Sequence, residues 1–179
     1  MKYTALAVAT LATAMSSTAA HADENVFAYS YGSETLPQGK TEAYLWATDR
    51  RGKGEGSYNA QDYKLEIEHG FTDRFQASAY MNFVSHHISG LEPDLKNRDK
   101  DVRWNGMQAS FKYALASPYK DPIGVAIYVE PGFARYSKKS GKRETQLTLE
   151  AKLLLQKNFM NDKLIWVGNI VAEQEFEHE

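Results

Sequence analysis

Residues 58–87 alternate apolar and polar side chains along two arms that meet at a turn. Apolar residues occupy every second position from Tyr63 to Ile67 and again from Phe75 to Phe83, and mostly polar residues fill the positions between. This period of two predicts a β-hairpin with residues 70–74 as its turn. An apolar face without charge, opposite a face that carries Lys, Glu and Gln, suits a wall between hydrocarbon and water. We therefore expect an outer-membrane β-barrel.

The same alternation recurs along the chain and predicts seven strands. They cover residues 41–49, the two hairpin arms at 58–69 and 75–87, and then 104–115, 123–136, 144–157 and 164–175. Segments of about ten residues are long enough to cross a bilayer at a tilt. Pro131-Gly132 predicts a bulge or bend in strand five. No segment predicts a helix, so the expected fold class is all-β: an antiparallel up-and-down transmembrane β-barrel.

The predicted connections alternate in length and charge. Short ones lie at 70–74, 117–122 and 158–163, and longer or more charged ones at 50–57, 88–101 and 137–142. Periplasmic turns and extracellular loops of barrels alternate in this way. Single-chain bacterial barrels have an even number of strands, and an open edge in lipid leaves backbone groups unpaired. Seven strands therefore predict an incomplete, unclosed barrel. Either the reading frame is incomplete, or the barrel closes with another chain.

The N-terminus has the pattern of a secretory signal peptide. Lys2 precedes an apolar stretch, and Ala20-His21-Ala22 is a cleavage site of the A-x-A type. We expect a signal peptide at 1–22 with cleavage after Ala22, a periplasmic lead-in at 23–40, and the N-terminal portion of a longer barrel at 41–179. The absence of cysteine does not choose a compartment. The signal peptide and the barrel together predict the outer membrane.

Several segments of the mature chain form longer motifs: DENVFAY at 23–29, LPQGK at 36–40, EHGFTDR at 68–74, PYKDP at 118–122, YVEP at 128–131, and EAKL with QKNF within 150–159. Together they resemble an uncharacterised family of Gram-negative outer-membrane β-barrel proteins, a domain of unknown function. The resemblance covers nearly all of the mature chain. It implies a barrel of about twelve strands, of which this chain is the N-terminal part, and it implies no activity.

Eight charged residues are expected to face the lumen: Lys64, Glu66, Glu68, Lys112, Glu130, Arg135, Glu150 and Lys152. Opposite charges on neighbouring strands can pair across a narrow barrel, which would make them a structural filling. Alternatively, they line a water-filled pathway and tune its solute selectivity.

A second motif, Ser85-His86-His87, lies at the outer end of strand three, and Asp94, Asp99 and Asp101 follow it. A lipid-modifying hydrolase needs a serine, a histidine and an orienting polar group near the outer headgroups. The residues lack a recognised catalytic spacing. A metal held jointly by the two histidines is disfavoured, because adjacent residues of a strand point to opposite faces.

The expected function is that of a passive envelope component, either a pore or a structural element of the outer membrane. We expect outer-membrane lipid, the barrel-assembly machinery and periplasmic chaperones as partners, and no cofactor. The alternatives are an outer-membrane lipid-modifying hydrolase and a soluble periplasmic β-sandwich binding protein. No catalytic motif is present, and a net charge of −2 without a basic stripe disfavours nucleic-acid binding.

Overall fold

The computed structural model describes residues 30–52, 56–91, 93 and 95–178. The predicted signal peptide and the first part of the lead-in lie outside the described residues. The described chain is all-β. Its strands are β1 (Thr41–Arg51), β2 (Ser57–Thr72), β3 (Phe75–Ser89), β4 (Arg98–Ala116), β5 (Gly124–Tyr136), β6 (Arg143–Phe159) and β7 (Leu164–His178). Among the described residues, no helix is long and apolar enough to span a membrane.

The seven strands form one antiparallel sheet in which each strand pairs with its neighbours in the chain, in the order β1 to β7. The sheet is an open, strongly curled half-barrel, and β1 and β7 are its two edges. The predicted all-β meander of seven strands is therefore confirmed. The connections β2–β3, β4–β5 and β6–β7 lie at one end, called the turn end here, and the other three lie at the loop end.

Two details differ from the prediction. Strand β4 begins at Arg98 rather than at Trp104, and its first residues pair with the end of β3. Charged side chains fill these positions, so no apolar alternation marks them. The bulge predicted at Pro131-Gly132 is wrong, because both residues pair in continuous register with β6. A proline removes one ladder hydrogen bond but does not insert a residue, and the register shift lies between Ala134 and Tyr136 instead.

The two faces of the sheet have opposite chemistry. Large apolar side chains of the convex face are exposed: Leu45, Leu65, Ile67, Met81, Met107, Phe111, Ile127, Leu147, Leu149, Leu153, Trp166 and Ile170. The buried positions on the concave face are mostly polar or aromatic: Glu66, Glu68, Gln76, Ser78, Tyr80, Ser110, Lys112, Tyr128 and Gln156. The polar side chains thus lie on the concave face of the sheet and the exposed apolar side chains on the convex face.

Strand β1 follows the same rule. Leu45 is 71% exposed. Trp46 lies on the other face, where its Nε1 donates a hydrogen bond of 2.7 Å to Glu66 on β2. Strand β1 therefore turns its tryptophan toward the concave interior and its leucine outward.

Candidate functional site

Residues 31–39, called the strap here, cross the concave face at the turn end from β7 to β2. Some backbone N–H groups of the strap are not paired with a strand, and side-chain amide oxygens of the sheet accept their hydrogen bonds instead. Asn169 accepts from Tyr31 N at 2.8 Å, Gln156 from Ser33 N at 2.8 Å, and Gln76 from Leu36 N at 2.7 Å. Ser33 and Leu36 are completely buried by this arrangement. The predicted lead-in is thus, in its described part, an integral layer of the interior.

Glycines of the sheet let the strap approach closely. A Cβ on Gly70 would lie 2.4 Å from the Pro37 carbonyl oxygen, and a Cβ on Gly124 would lie 2.3 Å from Ser33 Oγ. Real Cβ atoms do not approach other atoms so closely, so a side chain at either position would force the strap away. The strap ends where Gly39 N donates to Gly70 O at 2.7 Å.

The turns also hold the strap from outside the strands. Thr35 Oγ1 donates to the Asp73 carbonyl oxygen at 2.9 Å, and Gln38 N donates to Asp73 Oδ1 at 3.0 Å. A hydrogen bond between Tyr119 and Glu34, together with partial burial, raises the pKa of Tyr119 to about 12. The Tyr119 hydroxyl therefore stays protonated and remains a donor at ordinary pH.

Above the strap, two lysines of the concave face lie against aromatic rings. Lys152 Nζ is 4.1 Å from the Tyr31 ring centroid and 4.9 Å from that of Tyr128, and it pairs with Glu150 at 2.7 Å. Lys64 Nζ lies 4.6 Å from the Tyr80 ring centroid. Such cation–π contacts stabilise a partly desolvated ammonium group.

The carboxylates of this face accept local hydrogen bonds. Glu130 accepts from Gln108 Nε2 at 2.7 Å and from the Tyr128 hydroxyl. Glu68 accepts from Gln76 and, at 3.0 Å, from Ser78. The charges of the interior are therefore held in a network of amides and hydroxyls.

Seven of the eight charged residues singled out from the sequence lie on the concave face: Lys64, Glu66, Glu68, Lys112, Glu130, Glu150 and Lys152. Arg135 lies elsewhere. Its guanidinium carbon is 5.4 Å from the Trp104 ring centroid, and this ring contacts Phe133 on the convex face. Phe133 and Arg135 are two positions apart in β5 and therefore share a face, and the continuous register at Pro131-Gly132 keeps both on the face of Val129.

Between the aromatic layer and the loop end, the concave face borders two adjoining, partly open cavities of about 410 and 430 Å³. Both are lined by Asn82, Asn105, Gln108, Lys138 and Glu173. The lining is rich in amide and carboxylate groups, so the space suits water and polar solutes.

The connection between β5 and β6, residues 137–142, folds inward over these cavities and is called the roof loop here. The Lys138 carbonyl oxygen accepts hydrogen bonds from three strands: from Arg50 Nη1 at 2.6 Å, the Tyr58 hydroxyl at 3.2 Å and His86 Nε2 at 3.1 Å. Arg103 Nη2 donates to the Gly141 carbonyl oxygen at 3.0 Å. The sequence marked this segment only as one of the longer or more charged connections, because a backbone acceptor leaves no residue signature.

Ser85, His86 and His87 engage three different partners. Ser85 Oγ donates to Gln61 at 3.3 Å, His86 is fully buried against the roof loop, and His87 Nδ1 lies 2.5 Å from Asp99 Oδ1. These contacts do not form a serine–histidine pair of the kind that activates a nucleophile. Among the described residues, no group of three His, Cys, Asp or Glu side chains is arranged to hold a metal ion.

Comparison with known proteins gives one match. The sequence model of a family of unknown function, DUF6662, matches residues 19–179. Neither the curated proteins nor the solved structures give a match. Since the matched region covers most of the chain, this protein belongs to the DUF6662 family.

Proposed function

We propose that this chain forms part of the wall of an outer-membrane β-barrel and acts as a passive envelope component. The supporting observation is the segregation of the two faces, with exposed leucines, isoleucines and aromatics outside and buried charges and amides inside. Soluble monomers rarely expose contiguous apolar patches above a few hundred Å². Lipid is the environment in which such a convex face is buried.

The interior favours a structural element over an open channel. The strap and the tyrosine layer occupy the turn end of the described half-barrel, with Ser33 and Leu36 buried and the Tyr31 and Tyr128 rings 5.2 Å apart. The wall closes through strands that pair with the free edges of β1 and β7, because unpaired backbone groups in hydrocarbon cost several kcal/mol each. Periplasmic chaperones and the barrel-assembly machinery deliver such a wall to the membrane.

The test places an arginine at two exposed leucines of the convex face, one in the middle of β6 and one at the turn-end start of β7. Leu149→Arg should cost about 2–4 kcal/mol of folding free energy in lipid vesicles, whereas Leu164→Arg, near the interface, should cost about 0–1 kcal/mol. The measurement is urea unfolding in vesicles of the protein expressed from its whole gene.

Fractionation of cells provides the companion measurement. The proposal expects the protein in the outer-membrane fraction and a band on unheated gels that shifts on boiling. A protein found in the soluble periplasmic fraction, with both arginine variants as stable as wild type, would favour the β-sandwich reading and refute the proposal.

A further inference from the structure

The loop end of the interior contains a cluster of three arginines and one histidine from three strands. Arg50 comes from β1, His86 from β3, and Arg98 and Arg103 from β4. The roof loop lies against them so closely that a Cβ on Gly141 would be 2.8 Å from both Arg98 Cδ and His86 Cγ. These four residues are called the basic cluster here.

The basic cluster has more donors than the protein satisfies. The donors Arg50 Nη2, Arg98 Nε and Arg103 Nε are buried and have no hydrogen-bond partner in the described part of the chain. Buried polar atoms are nearly always hydrogen-bonded, so each exception requires an explanation.

The charge of the basic cluster is also unbalanced. The one ion pair recorded for it among the described residues joins Arg50 to Asp62 at 2.8 Å. The other acceptors are the neutral carbonyl oxygens of Lys138 and Gly141. The guanidinium of Arg103 is fixed in place, because its central carbon lies 3.8 Å from the Tyr136 ring centroid.

We infer that the basic cluster is a binding site for a phosphate group, held by Arg98 and Arg103 beneath the roof loop. A phosphate group supplies several acceptor oxygens and negative charge, and guanidinium groups bind it with charge-assisted hydrogen bonds. The group belongs either to a free anion that enters from the loop end or to the headgroup of a lipid in the surrounding leaflet. The lipid source rests on the proposed function, whereas the free anion does not.

The test titrates inorganic phosphate against the folded protein in detergent at constant ionic strength and measures the thermal unfolding midpoint. Phosphate should raise the wild-type midpoint, and Arg98→Gln should need at least about tenfold more phosphate for half the effect, since charge-assisted hydrogen bonds are the strong ones. Arg98→Gln leaves the hydrogen bonds of Arg50 and Arg103 to the roof loop in place. Arg74→Gln, at the exposed turn end, is the matched control.

A second arm separates the two sources. Vesicles that contain lipid A are compared with vesicles of phosphatidylcholine alone, again for wild type and Arg98→Gln. Protection by inorganic phosphate identifies a free-anion site, and protection only by lipid A identifies a headgroup site. Equal behaviour of wild type and Arg98→Gln in both arms overturns the inference. Failure of the proposed function would be seen separately, as protein absent from the membrane fraction.

Discussion

The attachment of the strap yields the sharpest quantitative prediction. Gln156 is almost fully buried, and its Oε1 accepts from Ser33 N at 2.8 Å while its Nε2 donates to Glu34 at 2.8 Å. Gln156→Leu keeps most of the side-chain volume but removes both groups. A buried donor left unpaired costs about 1–3 kcal/mol, and the lost hydrogen bond to Glu34 adds about 1 kcal/mol. The variant should therefore lose about 2–4 kcal/mol of unfolding free energy.

The assay is urea unfolding followed by tryptophan fluorescence, with Gln38→Leu as the matched control. Gln38 lies on the same strap with its side chain exposed, and its backbone N–H donates a hydrogen bond to Asp73. The control should stay within about 0.5 kcal/mol of wild type, as surface substitutions do. Hydrogen exchange at Ser33 should accelerate in Gln156→Leu and not in the control. If the two variants unfold at the same urea concentration, the strap is not held as described.

Two further substitutions probe neighbouring parts of the interior. Gly70→Ala should destabilise the protein by at least about 1–3 kcal/mol, because its Cβ would meet the backbone oxygens of Leu36 and Pro37. Gly168→Ala should be nearly neutral, because the nearest atoms to its Cβ belong to the outer end of the Trp166 side chain, which can move. Equal losses in the two variants would contradict the account. Lys152→Met should destabilise by less than the ~3–5 kcal/mol of a fully buried pair, since Glu150 keeps some exposure. The double variant with Glu150→Gln should recover part of that loss, and a double variant no more stable than Lys152→Met would argue against the pair.

The sequence predicts the strands well because each strand has one chemical environment on each face. Where the two faces of a strand no longer differ in environment, the sequence no longer alternates between apolar and polar residues. The first residues of β4, from Arg98 to Lys100, pair with β3 but carry no apolar alternation. The ladder extends past the apolar band, and periodicity alone gives no sign of this.

The interior contacts are less accessible to sequence reasoning for a different reason. Gln76, Gln156 and Asn169 look like ordinary polar positions of alternating strands, yet their partners in the strap lie 40, 123 and 138 residues away in the chain. Arg135 is expected from the sequence to face the lumen, but the observed register keeps β5 in phase through Pro131-Gly132 and places Arg135 on the same face as Phe133.

The strap has a consequence for the order in which the chain folds. The strap is synthesised before any of the strands, but the side chains that bind it lie on β3, β6 and β7. Contacts of such long sequence separation form late, since the loop entropy must be lost first. The earliest described residues to leave the ribosome are therefore among the last to settle, and until β7 is in place the inner surface that they cover remains open to water.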